Sequence, residues 1–214
     1  MPVRGVDVLS PTELIRLSIE IENQIDSGGD LRPVPGRDSA LFSVSRHPTG
    51  YAAFFRYDLP RNVRRQIAAL DPEAALQDHE AVRRILARFA PCDTIFAGKG
   101  YYFARRPSPA EFPDAVYHNG CYVITIDGKP VSWAWTADGS EQAAELAVET
   151  TPKYRRRGYA RQVVAAWATH VLEERKVAFY SHEVGNIASE ALANSLSVVQ
   201  YTVVTTYGSK AAAG

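Results

Sequence analysis

VETTPKYRRRGYA, at positions 148–160, is the most informative segment of this 214-residue chain. Its order is typical of the end of a strand, a tight basic turn and the start of a helix. An apolar stripe at helical spacing follows, formed by Ala160, Val163, Val164, Trp167 and Val171. The first turn of such a helix carries backbone N–H groups that have no acceptor within the helix. Together with the helix dipole, these groups attract an anion, above all a phosphate.

The side chains of this turn fit the same interpretation. Arg155, Arg156 and Arg157 supply positive charge for charge-assisted hydrogen bonds. Gly158 and Ala160 are small, so that a pyrophosphate can approach the backbone closely. The charge run alone is equally compatible with a solvated basic helix cap, whereas the strand–Arg-x-x-Gly-x-Ala–helix order favours a phosphate loop.

This segment resembles a known family. Arg155-x-x-Gly158-x-Ala160 is similar to the Gln/Arg-x-x-Gly-x-Gly/Ala signature of the GNAT superfamily of acyl-CoA-dependent N-acyltransferases. The strand at 145–150 resembles the one that leads into the loop in that family. Asn186 and Ser189, followed by Leu192 and Ala193, resemble its Asn-x-x-Ser-x-x-Leu-Ala helix. The most similar subgroup is that of the zwittermicin-resistance-like acetyltransferases, and the likeness covers the part of the chain after about Asp93.

The resemblance implies an α/β fold with a central mixed, twisted sheet flanked by helices, and acetyl-CoA as cosubstrate. It also implies that the strands at 142–150 and 177–181 splay apart and admit the pantetheine arm. Asn186 is where relatives bind that arm, although an asparagine there also suits a helix N-cap, and Ser189 also suits close packing. The cofactor-binding residues are then Val148, Glu149, Thr150, Arg155, Arg156, Arg157, Gly158, Tyr159, Ala160, Asn186 and Ser189.

Amine acetylation requires removal of a proton from an ammonium group, and three residues are candidates for the base. Glu145 is the first choice, because its alanine and leucine neighbours would partly desolvate a carboxylate. Glu149 shares its strand face by period two and is the competitor. His182, at the end of the next strand, is the third candidate. Glu145 is also compatible with a salt-bridged sheet carboxylate, and proton transfer through ordered water is an alternative route.

Two departures from the family pattern bear on the mechanism. Relatives often carry a tyrosine as general acid where Ala193 stands, and Leu-Gly-Phe where Leu196-Ser197-Val198 stands. The function indicated is therefore an N-acetyltransferase that transfers an acetyl group from acetyl-CoA to a primary amine of a small molecule or peptide. A non-catalytic acyl-CoA-binding or regulatory module on the same fold is the alternative.

Composition narrows the class of protein. Hydrophobic residues make up 46% and charged residues 22%, and the formal net charge is +0, which favours neither nucleic acid nor a membrane as partner. The two cysteines, Cys92 and Cys121, indicate no disulfide framework, and a cytoplasmic monomer or homodimer fits. The remaining histidines show no ligand spacing, so no metal is expected; they are His47, His79, His118 and His170.

The element order predicts a helix from a Ser10 capping box to about Ile25, a hairpin around positions 47–50, and helices at 62–70 and 72–89. A strand at 94–104 interrupted by glycines at 98 and 100 follows, then a meander turning at Asp127-Gly128 and Asp138-Gly139. A helix at 158–175, a strand at 177–181, a helix at 187–196, a strand at 198–206 and a frayed tail complete the order. We expect an acceptor-side region at 1–92, packed on the core, and a GNAT-like acetyl-CoA-binding domain at 93–214.

Overall fold

The computed structural model describes residues 9–210, which divide into two compact units. One unit contains Tyr101–Gln200 together with Leu9, and the other contains Ser10–Gly100 and the residues from Tyr201 onward. The second unit is thus discontinuous in sequence. The division of the chain at residues 92 and 93 stays a prediction.

The unit that begins at Ser10 combines short helices with a sheet of strand order β4-β3-β11-β5 and a separate β1-β2 ribbon. β11 pairs antiparallel with β3, and β3 with β4, which confirms the predicted hairpin. The helices are α1 Pro11–Glu22, α2 Arg61–Ala68, α3 Pro72–Gln77 and α4 His79–Leu86. The strands are β1 Gln24–Ile25, β2 Leu31–Arg32, β3 Ser39–His47, β4 Gly50–Phe55, β5 Thr94–Tyr102 and β11 Val199–Ser209.

Helix α1 starts where the capping box predicted. The Ser10 hydroxyl accepts from the Glu13 N–H at 3.3 Å, and the Glu13 carboxylate accepts from the Ser10 N–H at 2.7 Å. The helix ends at Glu22 and not near Ile25, because Asn23 is extended and Ile25 pairs with Leu31 in the small ribbon.

The single helix predicted over 72–89 is wrong. Asp78, with φ −88° and ψ 75°, separates α3 from α4. Its carboxylate accepts from the Ala81 N–H at 3.0 Å and so caps a new helix. A short polar side chain that bonds to nearby backbone competes with helix continuation, which explains the break.

The last strand supplies part of the core of this unit. The Tyr207 ring is fully buried beside Phe42, and its hydroxyl donates to the Ala75 carbonyl at 2.8 Å. Burial raises the pKa of Tyr207 far above its ordinary value. β11 runs to Ser209, past the predicted end at 206, and residues 211–214 of the predicted tail lie outside the described residues.

Strand β5 is continuous through the glycines at 98 and 100, so the predicted interruption is wrong. A Cβ on Gly100 would lie 2.7 Å from the Thr202 methyl group and 3.0 Å from the Tyr201 ring. The glycine therefore permits a close approach to β11, as a glycine inside a strand often does.

The unit of Tyr101–Gln200 has the strand order β10-β9-β8-β7-β6. Strands β7 to β9 form the predicted antiparallel meander. The short exposed β6, which the sequence did not predict, precedes them and pairs antiparallel with β7, and β10 lies parallel to β9. The bounds are β6 Val116–His118, β7 Cys121–Ile126, β8 Lys129–Gly139, β9 Ala143–Thr150, α5 Tyr159–Glu173, β10 Val177–Glu183 and α6 Ile187–Ser195. The expected α/β class, a mixed sheet flanked by helices, is confirmed.

Helix α5 is the crossover between the two parallel strands, and its apolar stripe packs on the sheet. Val163, Val164 and Trp167 are buried, and the Trp167 indole donates to the Thr136 hydroxyl at 3.0 Å. One turn of the meander was misplaced. Asp138 and Gly139 lie in β8 after a bulge, and the chain reverses at Ser140, whose N–H donates to the Ala143 carbonyl at 2.8 Å.

Candidate active site

The central feature of the candidate site is the divergence of β9 from β10. Their parallel pairing runs over three residue pairs, from Val177 with Ala143 to Phe179 with Glu145. Within residues 9–210 the pairing stops there, although β9 continues to Thr150 and β10 to Glu183. The edge of β9 that faces β10 is therefore without a strand partner beyond Glu145, and a wedge-shaped gap opens toward the carboxyl ends of both strands.

The basic loop lies at the open end of this gap. A 3-10 helix at Pro152–Tyr154 turns the chain, and Arg155 folds back so that its Nε donates to the Thr150 carbonyl at 3.1 Å. The loop ends at Gly158, the N-cap residue of α5, in a left-handed conformation with φ +81°. No side chain among the described residues caps this helix. Its first-turn N–H groups are therefore left for solvent or a ligand.

The three arginines of the loop are exposed. Arg156 adopts a left-handed φ of +61°, and the Arg157 guanidinium lies over the Tyr154 ring at 5.4 Å. In the described part of the chain, no carboxylate forms an ion pair with any of them. The helix N-terminus and these guanidinium groups together form a positive surface, which suits a pyrophosphate. Tyr159 and Ala160, the first residues of α5, are half-buried beneath it.

Asn186 and Ser189 lie across the gap, at the start of α6. The Asn186 side chain accepts from the Ser189 N–H at 3.1 Å, so the N-cap role of Asn186 is confirmed. Ser189 contributes its backbone carbonyl as acceptor for the Tyr180 hydroxyl at 3.1 Å. Contact of either residue with a pantetheine arm stays a prediction.

The candidate bases lie on two faces of the sheet. Alternation along β9 places Glu145 and Glu149 on one face, while Leu146 and Val148 point toward the core under α5. Glu145 is half-buried, and one carboxylate oxygen accepts from the Ser181 hydroxyl at 2.9 Å. Glu149 is exposed, opposite Trp133 on β8. Thr150, at the end of β9, bonds through its hydroxyl to that of Ser132 at 2.8 Å.

His182 lies on the other face of β10, because it alternates with Ser181 and follows the core residue Tyr180 by two positions. It is 5% exposed, and its Nδ1 lies 2.9 Å from the Glu183 carbonyl. Its ring stacks on Tyr101 with centroids 5.5 Å apart and lies 6.1 Å from the ring of Tyr180. The structure therefore does not bring His182 together with Glu145.

The sequence reasoning missed the two tyrosines around His182. Tyr180 could have been found from its period-two spacing with His182 on a strand, whereas Tyr101 comes from a distant part of the sequence. Burial raises the pKa of the Tyr180 phenol above its ordinary value. Ala193, where relatives carry a tyrosine, is 2% exposed and packs in the same core.

Residues 9–210 contain no group of three or more His, Cys, Asp or Glu side chains arranged to hold a metal ion. None of the helices in this range combines the length and apolar character needed to cross a bilayer.

Residues 115–208 match the sequence model of the GNAT acetyltransferase family. The matched segment runs from the residue before β6 into β11 and includes the gap, the basic loop, α5 and α6. The match covers less than half of the chain. It supports the GNAT superfamily and, more generally, an acyltransferase, and the mixed α/β architecture fits the GNAT fold.

Three solved structures of GNAT-type acetyltransferases show remote likeness to the chain. A candidate GNAT-family acetyltransferase from Novosphingobium aromaticivorans is 18% identical, with a TM-score of 0.47 over 55% of this chain and 66% of its own. A GNAT-family acetyltransferase from Colwellia psychrerythraea is 8% identical, with a TM-score of 0.45 over 95% and 98%. A GCN5-related N-acetyltransferase-like protein from Streptococcus suis is 12% identical, with a TM-score of 0.45 over 78% and 84%. No curated protein matches the chain significantly in sequence.

Proposed function

We propose that this protein is an N-acetyltransferase that transfers an acetyl group from acetyl-CoA to a primary amine of a small molecule or peptide. The observation that carries the proposal is the wedge between β9 and β10, which ends at the uncapped, basic start of α5. A long anionic thioester fits both parts, because its phosphates suit the helix start and its amide-bearing arm suits an unpaired strand edge. The zwittermicin-resistance-like subgroup is proposed on the motif alone.

The arm of the cosubstrate would lie along Val148, Glu149 and Thr150 as an added strand. Backbone groups on the open edge of β9 would then exchange hydrogen bonds with its amides. Arg155 is held against the end of β9 by its bond to the Thr150 carbonyl, so its remaining guanidinium N–H groups are oriented for phosphate oxygens.

Glu145 is the proposed base, because it is the last paired residue at the closed end of the wedge. The thioester reaches this end if the phosphates lie at the open end. Ser181 fixes the orientation of the carboxylate by donating to it. Glu149 is the competing base, although its exposure leaves it with less desolvation.

A non-catalytic acyl-CoA-binding or regulatory module is the second candidate. Ala193 favours it, because a buried methyl group stands where relatives carry the tyrosine that returns a proton to the thiolate. Binding and turnover separate the two candidates. An enzyme releases free thiol from acetyl-CoA in the presence of a suitable amine, whereas a binding module only takes up the cosubstrate.

The experiment combines both measurements. Acetyl-CoA at about 100 times its Kd should stabilise the folded state by about 2.7 kcal/mol, seen as a rise in Tm. Thiol release is then followed over a panel of small-molecule and peptide amines. Absence of any thermal shift would refute the acyl-CoA site, and a shift without thiol release from any amine would favour the binding module.

Cellular context is also proposed. Cys92 and Cys121 form no disulfide, which suits a reducing cytoplasm. The net charge of +0 suits a small-molecule or peptide acceptor better than nucleic acid or a membrane surface. A monomer or homodimer is the proposed state, checked by light scattering.

A further inference from the structure

His182 carries a buried nitrogen atom that has no hydrogen-bond partner. Among the described residues, only its Nε2 and the Ser45 hydroxyl are buried side-chain polar atoms without one. Such atoms are rare in folded proteins, since leaving one unsatisfied costs about 1–3 kcal/mol. His182 lies on the part of β10 beyond its last pair with β9, where the gap opens, and this position makes a ligand atom the candidate partner.

The neighbouring atoms determine which kind of atom that is. Nδ1 lies 2.9 Å from the Glu183 carbonyl, and because a carbonyl oxygen only accepts, Nδ1 carries the hydrogen. In the neutral ring Nε2 is then an acceptor. Stacking on Tyr101 and contact with Tyr180 hold the ring in this orientation. The missing partner is therefore an N–H or O–H donor.

The position of His182 along the gap identifies the donor. It lies three residues beyond Phe179, the last paired residue of β10, which is about 10 Å along an extended strand. The reacting carbonyl belongs at the closed end beside Glu145, and the phosphates belong at the open end beside Gly158. His182 is thus level with the middle of the ligand and not with its reacting atom.

We propose that His182 binds the cosubstrate, accepting a hydrogen bond at Nε2 from an amide N–H of the pantetheine arm, and that it is not the base. This inference rests on the proposed acyl-CoA site. It replaces the catalytic role that the sequence suggested for His182 and leaves proton abstraction to a carboxylate of β9.

Two substitutions distinguish the roles of the two ring nitrogens of His182. His182→Asn keeps a donor near the Nδ1 position and removes the acceptor at Nε2. His182→Gln can place an amide oxygen near the Nε2 position and so keeps an acceptor. His170→Asn is the matched control, since His170 lies on α5 with its side chain 46% exposed and paired with Glu174.

Affinity for CoA is measured by calorimetry, and the unliganded stability of each variant by urea unfolding. We expect His182→Asn to bind CoA about ten-fold more weakly, within the energy of one lost hydrogen bond to a buried acceptor. His182→Gln should stay within about three-fold of wild type, and His170→Asn should be unchanged. Pantetheine, the arm of CoA without its phosphates, should lose affinity by the same factor in His182→Asn, because the arm and not the phosphates makes the contact.

A second readout does not depend on a variant. In protein labelled with ¹⁵N-histidine, the Nε2 resonance of His182 should move on addition of CoA in the direction of a hydrogen-bonded acceptor. An unmoved resonance, or His182→Asn binding CoA as tightly as wild type, would overturn the inference while leaving the acyl-CoA site intact. If wild-type protein binds no CoA, the proposed function and this inference both fall.

Discussion

Gly158 offers the sharpest test of the phosphate loop, through substitution by asparagine and by aspartate. The two side chains have nearly the same shape and both tolerate the left-handed φ of +81° better than other residues. A Cβ at this position would meet no atom within 4 Å, so neither variant creates a clash. The comparison therefore isolates one negative charge at the start of α5.

The charge has opposite effects on the free and bound protein. Without ligand, a carboxylate at a helix N-terminus is stabilising by about 0.3–1 kcal/mol. For a phosphate bound at the start of α5, we take a separation of roughly 6 Å from this carboxylate. The repulsion per unit charge is then about 0.7 kcal/mol at the dielectric constant of water and about 2.8 kcal/mol at an effective value of 20. The site is exposed, so we expect an intermediate penalty of at least ten-fold in affinity.

The predicted result is thus a reversal of order. Gly158→Asp should be at least as stable as Gly158→Asn in urea unfolding without ligand, yet bind CoA at least ten-fold more weakly in calorimetry. The difference in affinity should shrink between about 0.05 M and 0.5 M salt, because ions screen exposed charges. Equal CoA affinity of the two variants would refute the phosphate-loop interpretation.

Three further predictions concern the rest of the site and the core. Asn186→Ala should lower the free energy of unfolding by about 1 kcal/mol through loss of the α6 cap, whereas Asn186→Asp should keep it; equal stabilities in urea would contradict this. Glu145→Gln should lower kcat in the thiol-release assay by about ten-fold or more while leaving the Kd for acetyl-CoA unchanged. Ser181→Ala removes only the hydrogen bond that orients this carboxylate and should lower kcat less in the same assay. Tyr207→Phe should cost about 1–2 kcal/mol, because the Ala75 carbonyl loses its donor. Folding raises the pKa of Tyr207, so the stabilisation linked to its protonated hydroxyl is complete below about pH 10, the pKa of tyrosine in the unfolded chain. This stabilisation is lost progressively as the pH rises above that value. The free energy of unfolding of wild type should therefore fall more steeply between about pH 10 and 11 than that of Tyr207→Phe. Parallel declines of the two proteins would contradict the raised pKa of Tyr207.

Local patterns predicted the elements around the basic loop well. α5 was predicted one or two residues from its observed ends, because its apolar stripe and the glycine before it are signals contained in one short segment. The Ser10 capping box and the Asp127-Gly128 turn, with φ values of +50° and +72°, were predictable for the same reason.

The errors occurred where a local signal was ambiguous. The sequence pattern predicts Asp78 to be an ordinary polar residue of an amphipathic helix, yet its carboxylate caps a new helix. The Asp138-Gly139 pair predicts a turn, but a bulge after Thr136 keeps both residues in β8. The environment of His182 could not be predicted at all, because Tyr101 reaches it from a strand far earlier in the sequence.

Strand β11 pairs with β3, in the unit formed by Ser10–Gly100, and this long-range pairing bears on folding during synthesis. Residues from Tyr201 onward belong to the same unit as Ser10–Gly100, and Tyr207 fills its core. On a ribosome adding about 5–20 residues per second, that part of the nascent chain waits on the order of ten seconds for its last strand. During this interval β3 has an unpaired edge, and Phe42 has the ring of Phe55 beside it but not yet that of Tyr207. Unpaired strand edges and exposed apolar surface of this kind promote aggregation. Expression yield should therefore depend on translation speed over the codons for residues 101–200, even though every residue of the proposed acetyl-CoA site precedes β11.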